Sequence, residues 1–231
     1  MIKQPFNYLF DFAEILFNID KYSKQHYYHR EVSLYRKILY PLKDKIYYRT
    51  YSNSNDQYFE TNVFITDNKS CHYTMVWDVQ KALHLIKEKN MLPVQYNVED
   101  YKSNFEDTNI MPSKAISAQF NKDPVIFVKW PGNLDVLIDG NHRYYNALKS
   151  KRKTIPAYVL SIEESMQCML NEDFRSLFKI HHNLLLLQNR RVLNSSSPIG
   201  FSDSFDETKL FSLHKSGFSR FISSILLFLQ F

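Results

Sequence analysis

The chain has 231 residues, 44% of them hydrophobic, which is enough for a substantial core in one large domain or in one compact domain with extensions. A net charge of +5 and a pI near 9.0 favour anionic partners, although the excess is spread as thinly as on an ordinary solvated surface. Cys71 and Cys168 lie far apart in no metal-type spacing, which argues against a disulfide framework or a zinc knuckle and fits a reducing cytoplasm.

The opening Met1-Ile2-Lys3-Gln4-Pro5 leads into no clean apolar stretch, so no secretory signal is expected. Phe6, Leu9, Phe10, Ala13, Leu16 and Phe17 recur at helical spacing, and Val32, Tyr35, Ile38 and Leu39 repeat the pattern after a polar break, predicting two helices. Ile46-Tyr47-Tyr48 and Val63-Phe64-Ile65, separated by Ser52 to Asp56, predict a hairpin or a pair of edge strands. Asp78 caps a helix carrying Val79, Ala82, Leu83 and Ile86 on one face and closing near Pro93. Residues 1–90 thus read as a helical segment with a β-hairpin.

Residues 91–162 alternate at α/β spacing. The expected order is strand Val94 to Val98, helix near Ser113 to Phe120, strand Val125 to Val128, turn Pro131-Gly132-Asn133, strand Val136 to Ile138, helix His142 to Lys151 and strand Ile155 to Leu160. Val125 to Val128 and Val136 to Ile138 are apolar throughout, so both faces should be covered and both strands should lie mid-sheet. The fold class is α+β or α/β, a mixed-sheet core with helical N- and C-terminal extensions.

Residues 163–231 read as a helical extension. Ile162, Met166, Met169, Leu170, Phe174, Leu177, His181 and Leu184 mark one long helix or two shorter ones. A polar run near 194–209 predicts an exposed linker. Phe218, Phe221, Ile222, Ile225 and Leu229 then form a short apolar face, suited to self-association and well short of the roughly 20 residues a membrane span needs.

The chemistry concentrates where a buried strand ends at a glycine and a helix begins, in Asp139-Gly140-Asn141-His142-Arg143-Tyr144. The first N–H groups of a helix lack internal partners and carry the positive end of the dipole, so an anion is stabilised there, and glycine lets the backbone approach it. Arg143 is placed to clamp a phosphate and His142 to donate to an oxygen or shuttle a proton. Three roles stand open for Asp139: orienting His142, holding Mg²⁺ with a nucleotide, or acting as a base. The plain alternative is an ordinary turn with Asn141 or Asp139 as helix cap and Arg143 in a surface ion pair.

Strand, Asp-Gly, one variable residue, His142-Arg143-Tyr144, a helical Ala147 and then Ile155-Pro156-Ala157-Tyr158-Val159 resemble the ParB/sulfiredoxin superfamily over roughly the middle third of the chain. The resemblance implies a nucleotide site at this turn, with Asp139, His142 and Arg143 as catalytic groups, Gly140 to Tyr144 against the nucleotide, and Asp139 toward Mg²⁺. Sulfiredoxin needs a cysteine where this chain has Asn141, which argues against that activity. ParB partition proteins bind CTP through an arginine-rich version of the turn; Gly140, Arg143, Tyr144 and Ala147 match it, but residues 163–231 contain no recognisable helix-turn-helix. The Asp-Gly-x-His-Arg form is similar to members resembling free-serine kinases and ATPases, which implies ATP or ADP with Mg²⁺ and an ATP-using phosphotransferase or nucleotide hydrolase.

Two other readings remain. Lys149, Lys151, Arg152 and Lys153 form the strongest basic cluster, suited to DNA in a DNA-associated regulator or nuclease-like protein, or equally a solvated helix end. The chain is alternatively a non-catalytic interaction module working through its C-terminal apolar helix. His26 and His29, and the adjacent His181 and His182, lack a third ligand by spacing and read as solvated or packed side chains.

Overall fold

The computed structural model describes residues 2–5, 29–42, 46–49, 57–64, 72–107, 110–132, 134–192 and 200–213. The first predicted helix, over 6–17, and the C-terminal apolar face lie outside these residues, as do Cys71 and His26. The fold is α+β. Ahead of the core come β1 (Ile2–Pro5), α1 (His29–Leu39), β2 (Ile46–Arg49), β3 (Tyr58–Phe64), β4 (His72–Asp78) and α2 (Val79–Glu88). The core runs through β5 (Val94–Asn97), α3 (Val98–Tyr101), α4 (Pro112–Ala118), β6 (Val125–Trp130), β7 (Leu134–Asp139), α5 (Asn141–Lys149) and β8 (Thr154–Leu160). After it come α6 (Ile162–Gln167), α7 (Glu172–Val192), β9 (Phe201–Ser202) and β10 (Leu210–Phe211).

Of the two readings for residues 46–48 and 63–65, edge strands hold and a hairpin between them does not among the described residues; the antiparallel pair within 1–90 is β3 with β4. β2 pairs antiparallel with β1, and β3 pairs antiparallel with β4, from Tyr58 opposite Asp78 to Phe64 opposite His72. Strand pairing is non-local, and β-propensity alone carried no information about the partner. Asp78 does cap α2, its carboxylate accepting from the Gln80 and Lys81 amides.

The core sheet is mixed, in the order β5-β8-β6-β7. β6 runs parallel to β8 and antiparallel to β7, and β5 is antiparallel to β8. β6 is therefore interior, as its unbroken apolar run requires: Val125 and Phe127 face one side, Ile126, Val128 and Trp130 the other. β7 is an edge strand, not a central one, because β8 takes the inner place. Its apolar residues are still covered on both faces, Leu137 by the α3 and α5 side and Ile138 by the opposite side.

On that opposite side the sheet shares its core with α1, β4, α2, α6 and α7. Trp77 of β4 stacks edge-on to Trp130 at 5.8 Å, and Trp130 meets Phe178 of α7 at 5.0 Å and His181 at 4.8 Å. The Trp77 indole N–H donates to Ser165 Oγ at 3.0 Å, so the burial of this ring leaves no orphan donor. Of the two readings for the stripe from Ile162 to Leu184, two helices hold, α6 starting on a capping box formed by Ser161 and Glu164.

Of the expected exposed linker, residues 194–199 lie outside the described residues, and residues 200–209 are largely exposed but are tied to the fold at both ends. Residues 200–213 fold back on α7 through the parallel β9–β10 pair, and Leu210 and Phe211 are buried. Asn183 of α7 fixes them, accepting from the Phe211 amide at 2.6 Å and donating to Phe211 O at 3.0 Å and Tyr35 Oη at 2.8 Å. Among the described residues no helix is long and apolar enough to cross a membrane.

Candidate functional site

β7 delivers Asp139 to the sheet edge and Gly140 turns the chain into α5 with φ of 94°, a left-handed conformation that glycine adopts without strain. A side chain is also excluded sterically, because a Cβ at Gly140 would lie 2.5 Å from Val125 Cγ1. The turn is thus pressed against the central strand. Gly140 is the residue before the helix and its carbonyl accepts from the Tyr144 amide at 2.9 Å. Neither Asn141 nor Asp139 caps the helix, since no side chain bonds its first amides. The Asn141, His142 and Arg143 N–H groups are left as an open positive end.

The side chains around this end are arranged differently from the sequence expectation. Arg143 is already engaged: its Nη2 lies 2.6 Å from Asp139 Oδ2 and its Nη1 donates to Asp123 O at 3.0 Å. The pair is largely self-neutralising, and it braces the turn between β7 and the segment entering β6. Asp139 consequently does not orient His142. His142 Nε2 instead accepts from the Met111 amide at 3.2 Å, so in the neutral ring the proton sits on Nδ1. Partial burial, helped by the charge of Lys114, holds the imidazole below its ordinary pKa. At neutral pH His142 is an uncharged N–H donor.

Tyr144 does not belong with the ligand-facing residues. It is fully buried on the sheet side of α5, donating its hydroxyl to Val98 O, and burial pushes its phenol pKa up. Two helix positions, a rotation of about 200°, separate it from the pocket-lining His142 and carry it into the core beside Phe127 and Tyr101.

Asp139, Gly140, Asn141, His142 and Arg143 line one pocket of about 660 Å³. Its far wall comes from α4 and the turn after it, through Lys114, Ser117, Ala118 and Asn121, and from Gln57, Tyr58 and Phe59 at the start of β3. Lys114 is the main omission of the sequence reading. Positions 114, 117, 118 and 121 recur at helical spacing, so a polar and small stripe was visible, but which neighbour it faced was not. The wall is held to α5 by the His142 contact and by Asn146 Nδ2, which donates to Ala115 O at 2.7 Å.

Lys149, Lys151, Arg152 and Lys153 lie at the other end of α5 and line a separate pocket of about 770 Å³. His181 and His182 are both buried, His181 against Trp130 and His182 against Lys209 O. Among the described residues, no three His, Cys, Asp or Glu side chains group as a metal site. Asp139 alone fits Mg²⁺ only as one ligand of an ion carried in by nucleotide phosphates.

No family model, curated protein or solved structure matches the chain.

Proposed function

We propose that the Asp139 to Arg143 turn binds the phosphates of a nucleotide, and that the protein is an ATP-using phosphotransferase or nucleotide hydrolase of the ParB/sulfiredoxin type. The observation that carries this reading is the uncapped first turn of α5, opening into a pocket that also presents Lys114. Oxygens of a phosphate seated there would accept from the Asn141 to Arg143 amides, with Lys114 supplying positive charge. The neutral His142 N–H is a further donor, and its role is to orient an oxygen without adding charge. The Asp139–Arg143 pair holds the turn in shape for that anion. The superfamily reading rests on the Asp139 to Tyr144 turn between β7 and α5 and on the Ile155 to Val159 run in β8.

Calorimetry with ATP, ADP and CTP, with and without Mg²⁺, tests the site directly. Lys114→Gln is the variant of choice, because Lys114 is exposed and its loss leaves the Arg143 brace intact. The expected result is micromolar-range binding by the wild type weakened at least tenfold in Lys114→Gln, with phosphate release or transfer in the nucleotide that binds. A folded wild-type protein that binds none of the three overturns the proposal.

A further inference from the structure

The cations at the C-terminal end of α5 lie about 13 Å along the helix from the Gly140 turn. They line a cleft of two adjoining pockets, of about 770 and 560 Å³, which share Asp107, Tyr145, Lys149 and Arg152 as their common wall. Neither pocket includes any residue from Asp139 to Arg143.

The cleft is net positive, with Lys102, Lys149, Lys151, Arg152 and Lys153 lining it against the carboxylates of Glu99 and Asp107. Lys102 lines it but is neutralised by Glu99 at 2.9 Å. Lys149, Lys151, Arg152 and Lys153 are all exposed, and among the described residues none of them is ion-paired with a carboxylate. A favourable contact with the helix dipole accounts for Lys149 in the last turn, but the other three cations lie beyond the helix.

The backbone adds an independent sign. α5 ends in a Schellman motif, with the Arg152 amide on Ala147 O at 2.9 Å and the Lys151 amide on Leu148 O at 3.0 Å. This motif calls for glycine or asparagine at its left-handed position, and the equivalent place after α2 is Asn90, with φ of 49°. At the end of α5 that place is occupied by Lys151, with φ of 54°. A long charged side chain held where it strains the backbone is a feature of a binding surface more than of a helix stop.

Between the two pockets stands the half-buried Tyr145 ring, with Lys149 Nζ 5.3 Å from its centroid. An aromatic face flanked by unpaired cations, in a cleft with separate hollows on either side, suits a chain of alternating bases and phosphates. A duplex buries its bases and would use only the rim charges. We infer that this cleft binds single-stranded nucleic acid, its phosphates on Lys149, Lys151, Arg152 and Lys153 and a base on Tyr145.

Fluorescence anisotropy of the full chain with labelled 12-mers of oligo(dT) and oligo(rU), in a salt series, tests this. The wild type should bind single strands more tightly than a duplex of the same length, with log K falling linearly against log salt. In Lys151→Glu/Arg152→Glu affinity should fall at least tenfold. In a charge-removing Lys151→Gln/Arg152→Gln variant the salt slope should flatten by about 1.4, because two phosphates then keep their counterions on binding. Tyr145→Ala should weaken binding at least fivefold. If the reversal variant fails to fold by circular dichroism, Lys151→Asn replaces it, since asparagine tolerates the left-handed backbone. No salt-dependent binding, tighter duplex binding, or wild-type affinity in the charge variants overturns the inference. So does undiminished binding by Tyr145→Ala together with equal competition from inorganic polyphosphate, which would make the cleft a general polyanion site.

Discussion

Gly140→Ala puts the central geometric claim at risk. The substitution forces an L side chain into a backbone with φ of 94°, at a cost of about 1 kcal/mol, and sets its Cβ 2.5 Å from Val125 Cγ1. The second contact cannot relax cheaply. Val125 is fully buried in the central strand, and overpacking of this kind costs about 1–3 kcal/mol. Together they predict a loss of about 2–4 kcal/mol. In urea, with a slope of about 3 kcal/mol per molar, the midpoint should fall by about 1 M without a change in slope. The same substitution in a Val125→Ala background should cost about 1 kcal/mol less, because Cγ1, the nearest atom, is gone; a double-mutant cycle isolates that difference. A total loss below about 1 kcal/mol, or an identical cost in both backgrounds, would refute the account of why the chain turns here on glycine.

Relief of the strain at Lys151 should show as a gain. Lys151→Gly is expected to stabilise the protein by about 0.5–1 kcal/mol, a rise of about 1–4 °C in Tm by calorimetry, while weakening oligonucleotide binding. Asn183→Ala removes three hydrogen bonds within the core and strands the Phe211 amide, so urea unfolding should show a loss of about 2–4 kcal/mol. Acid should weaken the fold through His181, which burial, and to a lesser degree His182, hold down at about 3. Its folded pKa lies below the unfolded value near 6.5, so stability is intact above that pH. Between 6.5 and 3 the unfolded chain takes up a proton that the folded chain refuses, and stability declines by up to about 1.4 kcal/mol per pH unit. His181→Leu should flatten this acid limb in urea midpoints measured from pH 7 to pH 4, and parallel limbs would exclude His181 as the cause.

Much of the segment from Val94 to Leu160 was legible because its signals are local. Apolar runs broken by Pro131-Gly132 and Asp139-Gly140 mark where its strands stop, and just ahead of the segment the Asp78 side chain marks where a helix starts. What was illegible depended on distant partners. The pairing of β2 with β1 rather than with residues 63–65 was one such case, and β8 displacing β7 from the sheet interior was another. The site divides in the same way. Gly140 and the open helix end follow from sequence, but the engagement of Arg143 by Asp139 and Asp123 O, and the approach of Lys114 from α4, depend on how two helices dock on one sheet. Tyr144 was misplaced for a simpler reason: a motif groups neighbours in sequence, whereas a helix separates them by angle.

The two tryptophans of the chain, Trp77 and Trp130, stand together in the core on the side of the sheet opposite α5. Intrinsic emission is therefore a single optical channel, reporting the packing of β4, β6 and α7 as one event. His181 lies 4.8 Å from the Trp130 ring, where an imidazolium would quench it, so acid unfolding should be preceded by dimming only if that histidine gains its proton while the core is still closed. Ligands arriving at the basic end of α5 meet Tyr145 and not the tryptophans, whereas the Gly140 pocket includes Tyr58 and Phe59, and the Phe59 ring, 6.2 Å from Trp77, couples that pocket to this channel.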